Sequence, residues 1–244
     1  MSSIAIFGGH GKVALQLARV LTAAGHEVTS FVRNSDQHDD VAGTGATPAL
    51  LDIERADTAQ LAEAIKGMDA VVFSAGAGGG SPERTYAVDR DAAIRSMDAA
   101  GVAGVPRYLM VSYLGARADH GIPPDNGFYP YAEAKAAADT YLRSTGLSWT
   151  ILAPGTLTLE PGSGRIQLNP DTSGAGTETS RENVAAVAAA VLGRPGAAER
   201  TISFIDGDVP IDAALTEAEG PSDTAEARSG TATVDGHSGT AGPG

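Results

Sequence analysis

The stretch IAIFGGHGKVA, residues 4–14, decides the fold. Apolar residues suited to a buried strand run straight into a glycine-rich turn, and Val13, Leu17, Val20 and Leu21 then fall on one stripe of a helix. Gly8 and Gly11 take the GxxGxx(G/A) spacing, with Ala14 as the third small residue. Small residues let the turn tighten and let the helix pack closely on the strand. Gly8, Gly9, His10, Gly11, Lys12 and Val13 then surround the positive end of the helix dipole, where backbone N–H groups face a phosphate. The strand before the turn and the helix after it make this a specific signal for a dinucleotide pyrophosphate.

Outward from that turn, strand and helix patterns alternate along the chain. Strands are expected at 4–7, 27–33, 48–52, 70–74, 108–112, 148–153 and 201–205. Helices are expected at 11–24, 58–66, 85–100, 129–144 and 181–192, the first ending at Gly25 and the last capped by Ser180. Such alternation predicts an α/β fold, Rossmann-like and doubly wound, with a mainly parallel sheet and helices on both faces. Residues 157–179, rich in Gly, Pro, Thr and Ser, follow the sixth strand, and are expected to form a substrate cover at the carboxyl edge.

Composition limits the alternatives. A chain of 244 residues with 42% hydrophobic content suits one α/β domain. This domain is expected over residues 1–216, with the substrate pocket integral to it. Residues 217–244 carry Glu217, Glu219, Asp223, Glu226 and Asp235 against Arg228 alone, and no aliphatic residue larger than Val234. Such a segment is expected to be a disordered acidic tail. No apolar run approaches the ~20 residues of a membrane span, and no basic, apolar leader opens the chain, so a cytoplasmic protein is expected. The absence of cysteine excludes thiol chemistry, and five scattered histidines show no metal-ligand spacing, so no metal is expected. A net charge of -13 argues against nucleic acid or anionic membrane as a partner. The expected partner is a small-molecule substrate, with oligomeric state open.

The second strand ends in Phe31, Val32 and Arg33. An NAD site usually has a carboxylate there for the ribose 2′-hydroxyl, whereas a cation suits the 2′-phosphate of NADP. The Arg33 fork and Lys12 in the first helical turn favour NADP. Asp36, three residues on, keeps NAD possible. Asp52 and Ile53 are placed either to flank an adenine or, for Asp52, to cap the next turn. Ser74, Ala75 and Gly76 close the fourth strand with small residues that leave room for a ribose. The run Gly78, Gly79, Gly80 implies a mobile loop.

Tyr131 and Lys135 form YxxxK near the start of the fifth helix, on one helical face. A nearby ammonium stabilises a phenolate, so Lys135 is expected to lower the Tyr131 pKa toward working pH and to reach the cofactor ribose. The chain here resembles the short-chain dehydrogenase/reductase superfamily, and more closely its atypical NAD(P)H-binding, epimerase-like branch. The likeness spans residues 3–217, through GGHGKVA, AVDRDAAI at 87–94, VSYLGA at 111–116, YAEAKAAAD at 131–139 and APG at 153–155. The resemblance implies Tyr131 as catalytic acid or base, Lys135 as its partner, Ser112 as the substrate-polarising hydroxyl, and Asp89 where other members have asparagine. It also implies cofactor contacts at Pro154 and Gly155.

Two positions depart from the superfamily pattern. Relatives often pair two serines here, the second polarising the substrate carbonyl, and this chain reads Ser112 and Tyr113. In strict register the catalytic serine is absent, which leaves either Ser112, through a slight shift at the strand end, or Tyr113 to hold the substrate oxygen. Ala153 stands where many relatives have arginine. The leading expectation is an NADP-dependent oxidoreductase or epimerase acting on a small carbonyl or alcohol. Two other readings stay open: a catalytically inactive NADP(H)-sensing regulatory protein, and a flavin or quinone reductase.

Overall fold

A computed structural model of the chain describes residues 1–78, 81–171 and 176–219. The expected tail from 220 onward, and Gly79 and Gly80 of the glycine run, lie outside the described residues.

The first half alternates strand and helix: β1 (Ser3–Phe7), α1 (Lys12–Ala23), β2 (Glu27–Val32), α2 (His38–Ala42), β3 (Thr47–Leu50), α3 (Thr58–Ala64) and β4 (Ala70–Phe73). Next come α4 (Pro82–Thr85), a π-helical turn (Tyr86–Ala92), α5 (Ala93–Ala103), β5 (Arg107–Val111), α6 (Tyr129–Ser144) and β6 (Ser148–Pro154). The chain continues through β7 (Thr156–Thr158), β8 (Arg165–Leu168), β9 (Glu178–Ser180), α7 (Arg181–Leu192), β10 (Arg200–Asp206), β11 (Val209–Pro210) and α8 (Ile211–Ala218).

The main sheet has nine strands in the order β11-β8-β10-β6-β5-β4-β1-β2-β3. Its strands from β3 to β10 are mutually parallel, as a doubly wound sheet requires. Alternating side chains separate two cores. Ile4 and Ile6 face the layer of α1 and α7, while Ala5 and Phe7 face that of α3, α5 and α6. Strands buried on both faces explain the nearly continuous apolar runs. Among the described residues, no helix is long and apolar enough to cross a membrane.

Local signals end the elements where the chain chemistry directs. Gly25, at φ +83°, follows α1 and donates its N–H to the Thr22 carbonyl at 3.0 Å. Ser180 caps α7, its Oγ accepting from the Asn183 N–H at 3.1 Å.

Three expectations change. Residues 157–179 are not simply a cover. Arg165–Leu168 joins the main sheet antiparallel to β10, with Ile166 fully buried, and β7 pairs with β9 in a small second sheet. Residues 172–175 lie outside the described residues. The helix expected over 85–100 starts earlier and contains the π-helical turn. Finally, α8 runs to Ala218, and Arg194 Nη1 donates to Glu219 Oε2 at 3.4 Å, so residues 217–219 belong to this helix and its end.

Candidate active site

Strand order reverses between β1 and β4, and these two strands stop in register at Phe7 and Phe73. The chain therefore leaves both strands side by side, opening a crevice at their carboxyl ends, where α/β sheets bind ligands. A cleft of ≈ 300 Å³ occupies this place, lined by Gly8, Gly9, His10, Gly11, Arg33, Asp52, Ile53, Ser74, Ala75 and Gly76. All ten were sequence-predicted. Phe31, Gln37, Glu54, Ala77, Arg84 and Val88 also line it and were missed, because nothing in their local pattern points toward a ligand.

The glycine turn fits a dinucleotide for a steric reason. Gly8 has φ +79°, and a Cβ there would lie 2.6 Å from Ala75 Cα. One at Gly9 would lie 2.6 Å from Ser30 Cβ, and one at Gly11 3.1 Å from the Gly8 carbonyl. Side chains at these positions would push the turn off β2 and β4. Gly11 precedes α1 with no side-chain cap, and the first turn holds no acidic residue. The opening amide groups of α1 are thus left for an anion. His10 Nε2 pairs with Asp40 Oδ2 at 2.7 Å, and its Nδ1 lies 3.2 Å from Gln37 Nε2, which ties the turn to α2.

Other cofactor candidates occupy different ground. Lys12 is exposed and sits beside Leu15, Gln16 and Arg19, away from the cleft, while Val13 is buried in the α1 core. Arg33 is exposed on the cleft, with no hydrogen bond or ion pair among the described residues. Asp36 does not line it, and its amide N–H donates to Asn34 Oδ1. Asp52 does both things the sequence allowed: it lines the cleft, and its Oδ1 accepts from the Glu54 N–H at 3.1 Å. Pro154 and Gly155 line a second pocket instead.

That second pocket, of ≈ 470 Å³, is walled by Tyr113, Leu114, Phe128, Tyr131, Pro154, Gly155, Thr156, Leu157 and Thr177. Tyr113, Phe128 and Tyr131 form a ring cluster with centroids 5.2–5.4 Å apart. Among the described residues, no charged side chain lines it. Leu157 and Thr177 come from the 157–179 segment, so this segment does supply part of the pocket wall.

Behind Tyr131 lies a buried polar cluster. Lys135, 1% exposed, donates from Nζ to the Val111 carbonyl at 2.7 Å. Asp89, on the π-helical turn, accepts from the Ala77 N–H at 2.9 Å. Its carboxylate thus holds a cleft loop in place. Ser112 Oγ donates to Asp139 Oδ2 at 2.5 Å. Burial pushes the carboxyls of Asp89 and Asp139 above the usual carboxylate range, against the opposing pull of Lys135.

The expected lowering of the Tyr131 pKa is not found. Burial first, then the charges of Asp89, Tyr113 and Asp139, pushes the phenol well up. Lys135 is shared by two carboxyls that together offset its charge. The Tyr131 phenol is therefore neutral at ordinary pH. The sequence reading missed Asp139 as a site residue. Its signal was an acid four residues after Lys135 on the buried face of an alanine-rich helix.

The model of an NAD(P)H-binding family matches residues 8–195. A UPF0659 protein of Saccharomyces cerevisiae is 36% identical over 86% of this chain and 95% of its own length. A Bacillus subtilis protein named as an uncharacterized sugar epimerase is 32% identical over 86% and 97%. Among solved structures, a Bacillus halodurans protein described as an NAD-dependent epimerase/dehydratase superposes with a TM-score of 0.81 at 30% identity, covering 89% of this chain and 100% of that one. An oxidoreductase of Lactococcus lactis gives 0.77 at 26% identity, with 88% and 95% covered. With the glycine turn at the switch point and these likenesses along most of its length, the chain belongs to the NAD(P)H-binding family of epimerase- and oxidoreductase-type enzymes.

Proposed function

We propose that this protein is an NADP-dependent oxidoreductase that reduces a small, uncharged carbonyl compound, with Tyr131 as the proton donor. When bound, the nicotinamide supplies the hydride. The chain does the rest. The glycine turn and the amide groups opening α1 hold the pyrophosphate. Arg33, with no partner among the described residues, supports the choice of NADP, because its fork matches a 2′-phosphate. The observation that carries the reading is Asp89: it hydrogen-bonds Ala77 of the cofactor cleft, and its charge acts on Tyr131 of the aromatic pocket. One side chain thus links the cleft loop to the proposed proton donor. A phenol can give its proton to the oxygen that becomes negative as hydride arrives. The uncharged side chains that line the pocket among the described residues suit an uncharged substrate.

Titration calorimetry with NADPH and NADH tests the cofactor. Wild type should prefer NADPH, and Arg33→Ala should erase a preference of roughly 10- to 100-fold, as expected for losing charge-assisted hydrogen bonds of about 1.5–3 kcal/mol. Equal affinities in both proteins would refute the NADP assignment, and binding of neither would refute the oxidoreductase reading.

A second reading has its own support. Three clustered rings, Tyr113, Phe128 and Tyr131, offer a flat face to a ring acceptor such as a quinone or flavin. There hydride passes to the ring and Tyr131 becomes dispensable.

A further inference from the structure

Glu54 and Arg84 meet on the wall of the cofactor cleft, Arg84 Nε donating to Glu54 Oε2 at 3.4 Å, with the two side chains 32% and 31% exposed. Glu54 follows β3 and Arg84 lies on α4, beyond β4. Those strands stand three places apart in the sheet, about 14 Å, so the fold has to carry the two side chains toward each other. Each is fixed from behind. Arg95 of α5 donates from Nη2 to the carbonyls of Ile53 and Glu54, at 3.0 and 3.1 Å. Arg84 Nη1 donates to the Ala77 carbonyl at 2.6 Å, while Asp89 holds the Ala77 N–H.

The pair is only half engaged. Arg90 grips Asp91 with both Nε and Nη2, at 2.7 and 3.3 Å, which is the fork a guanidinium offers a carboxylate. Arg84 reaches Glu54 through Nε alone, at a distance long for a charge-assisted contact. Among the described residues, Arg84 Nη2 and Glu54 Oε1 have no hydrogen-bond partner. A spare donor and a spare acceptor thus stand side by side on the cleft wall, next to the apolar side chain of Ile53, which also lines the cleft. Adenine presents the complement: its 6-amino group donates, and a ring nitrogen beside it accepts. The neighbouring carboxylate, Asp52, already serves the backbone and a side chain. Its Oδ1 accepts from the Glu54 N–H at 3.1 Å, and its Oδ2 lies 3.5 Å from Arg55 Nε.

We propose that Glu54 and Arg84 read the base of the cofactor: Glu54 Oε1 accepts from the 6-amino group of adenine, and Arg84 Nη2 donates to the ring nitrogen beside it. The proposal rests on the cofactor reading above. It makes the cleft selective. In the same pose a 6-oxo purine sets its carbonyl oxygen against the Glu54 carboxylate, so two acceptors face each other with no hydrogen between them.

Titration calorimetry on the full chain compares NADPH with reduced nicotinamide hypoxanthine dinucleotide phosphate, which differs from it only at the base. Wild type should bind NADPH tighter by about 30-fold or more, and equal affinities would overturn the proposal without any variant. Glu54→Gln keeps an amide oxygen for adenine and, turned over, offers its NH2 to the 6-oxo group. Its discrimination should fall to about threefold or less, with NADPH affinity within about fivefold of wild type. Asp52→Asn should discriminate as wild type does. Discrimination kept in Glu54→Gln, or lost in Asp52→Asn, would overturn the proposal. Arg84→Met removes the donor to the ring nitrogen and should weaken NADPH about tenfold, whereas unchanged affinity would overturn the part given to Arg84. Choice between the two bases is a readout that a merely structural Glu54–Arg84 pair would not move, and an unfolding midpoint close to wild type shows that each variant is folded. Wild type that binds neither nucleotide would overturn the cofactor reading and this proposal together, while NADPH binding without discrimination overturns this proposal alone.

Discussion

Gly8 and Ala75 touch so closely that a methyl group added to Gly8 would lie 2.6 Å from Ala75 Cα. This contact between the ends of β1 and β4 sets the width of the cofactor crevice. Gly8→Ala adds both that clash and a left-handed backbone to an L-residue. It should cost more than about 2 kcal/mol in urea unfolding and abolish NADPH binding by calorimetry. Wild-type affinity in this variant would show that the turn is wider than the geometry allows.

Stability should depend on pH through the buried carboxyls. Asp89 and Asp139 are held above their ordinary value of 3.8, each chiefly by burial. A group whose pKa is raised on folding adds stability below its unfolded pKa and loses it as pH rises through the folded pKa. Wild type should therefore lose stability as pH climbs from about 4 through the raised values, measured by urea unfolding. Asp139→Asn should flatten part of that slope. An unchanged slope would mean that Asp139 ionises as readily in the fold as in the unfolded chain.

Tyr113 is a candidate donor to the substrate oxygen. Its hydroxyl is buried with no hydrogen-bond partner among the described residues, so their packing gains no hydrogen bond from it. Tyr113→Phe should leave thermal stability unchanged or raise it by about 1 kcal/mol. If the hydroxyl holds the substrate oxygen, kcat/KM for carbonyl reduction should fall about tenfold or more. Thermal destabilisation would instead reveal a partner within the fold.

Much of this was legible in the sequence, for identifiable reasons. The turn at residues 8–11 requires residues without Cβ atoms, so its glycines reveal both the strand–helix junction and the cleft. Buried parallel strands read as apolar runs, and α6 and α7 begin and end where the sequence pattern places them. The β7–β9 region was obscured because its strands are only three or four residues long and the segments between them, rich in Gly, Pro, Thr and Ser, read as loop. Ile166 and Leu168 are too few to show alternation against that background. The Tyr131 pKa was misjudged for a different reason. The spacing Tyr131–Lys135 is local, but the carboxyls that offset Lys135 come from the π-helical turn and the next turn of α6. Only the fold brings these charges together. Arg84 and Glu54, on the cleft rim and 3.4 Å apart, are likewise joined only by tertiary structure.

The measurement that bears most directly on the account is the rate of NADPH oxidation by a carbonyl substrate in wild type and Tyr131→Phe, each saturated with cofactor. Loss of the proton donor should lower kcat by at least about 100-fold while NADPH affinity stays within about twofold. A phenylalanine variant that turns over at the wild-type rate would contradict Tyr131 as the proton donor and transfer the site to a ring acceptor that needs none.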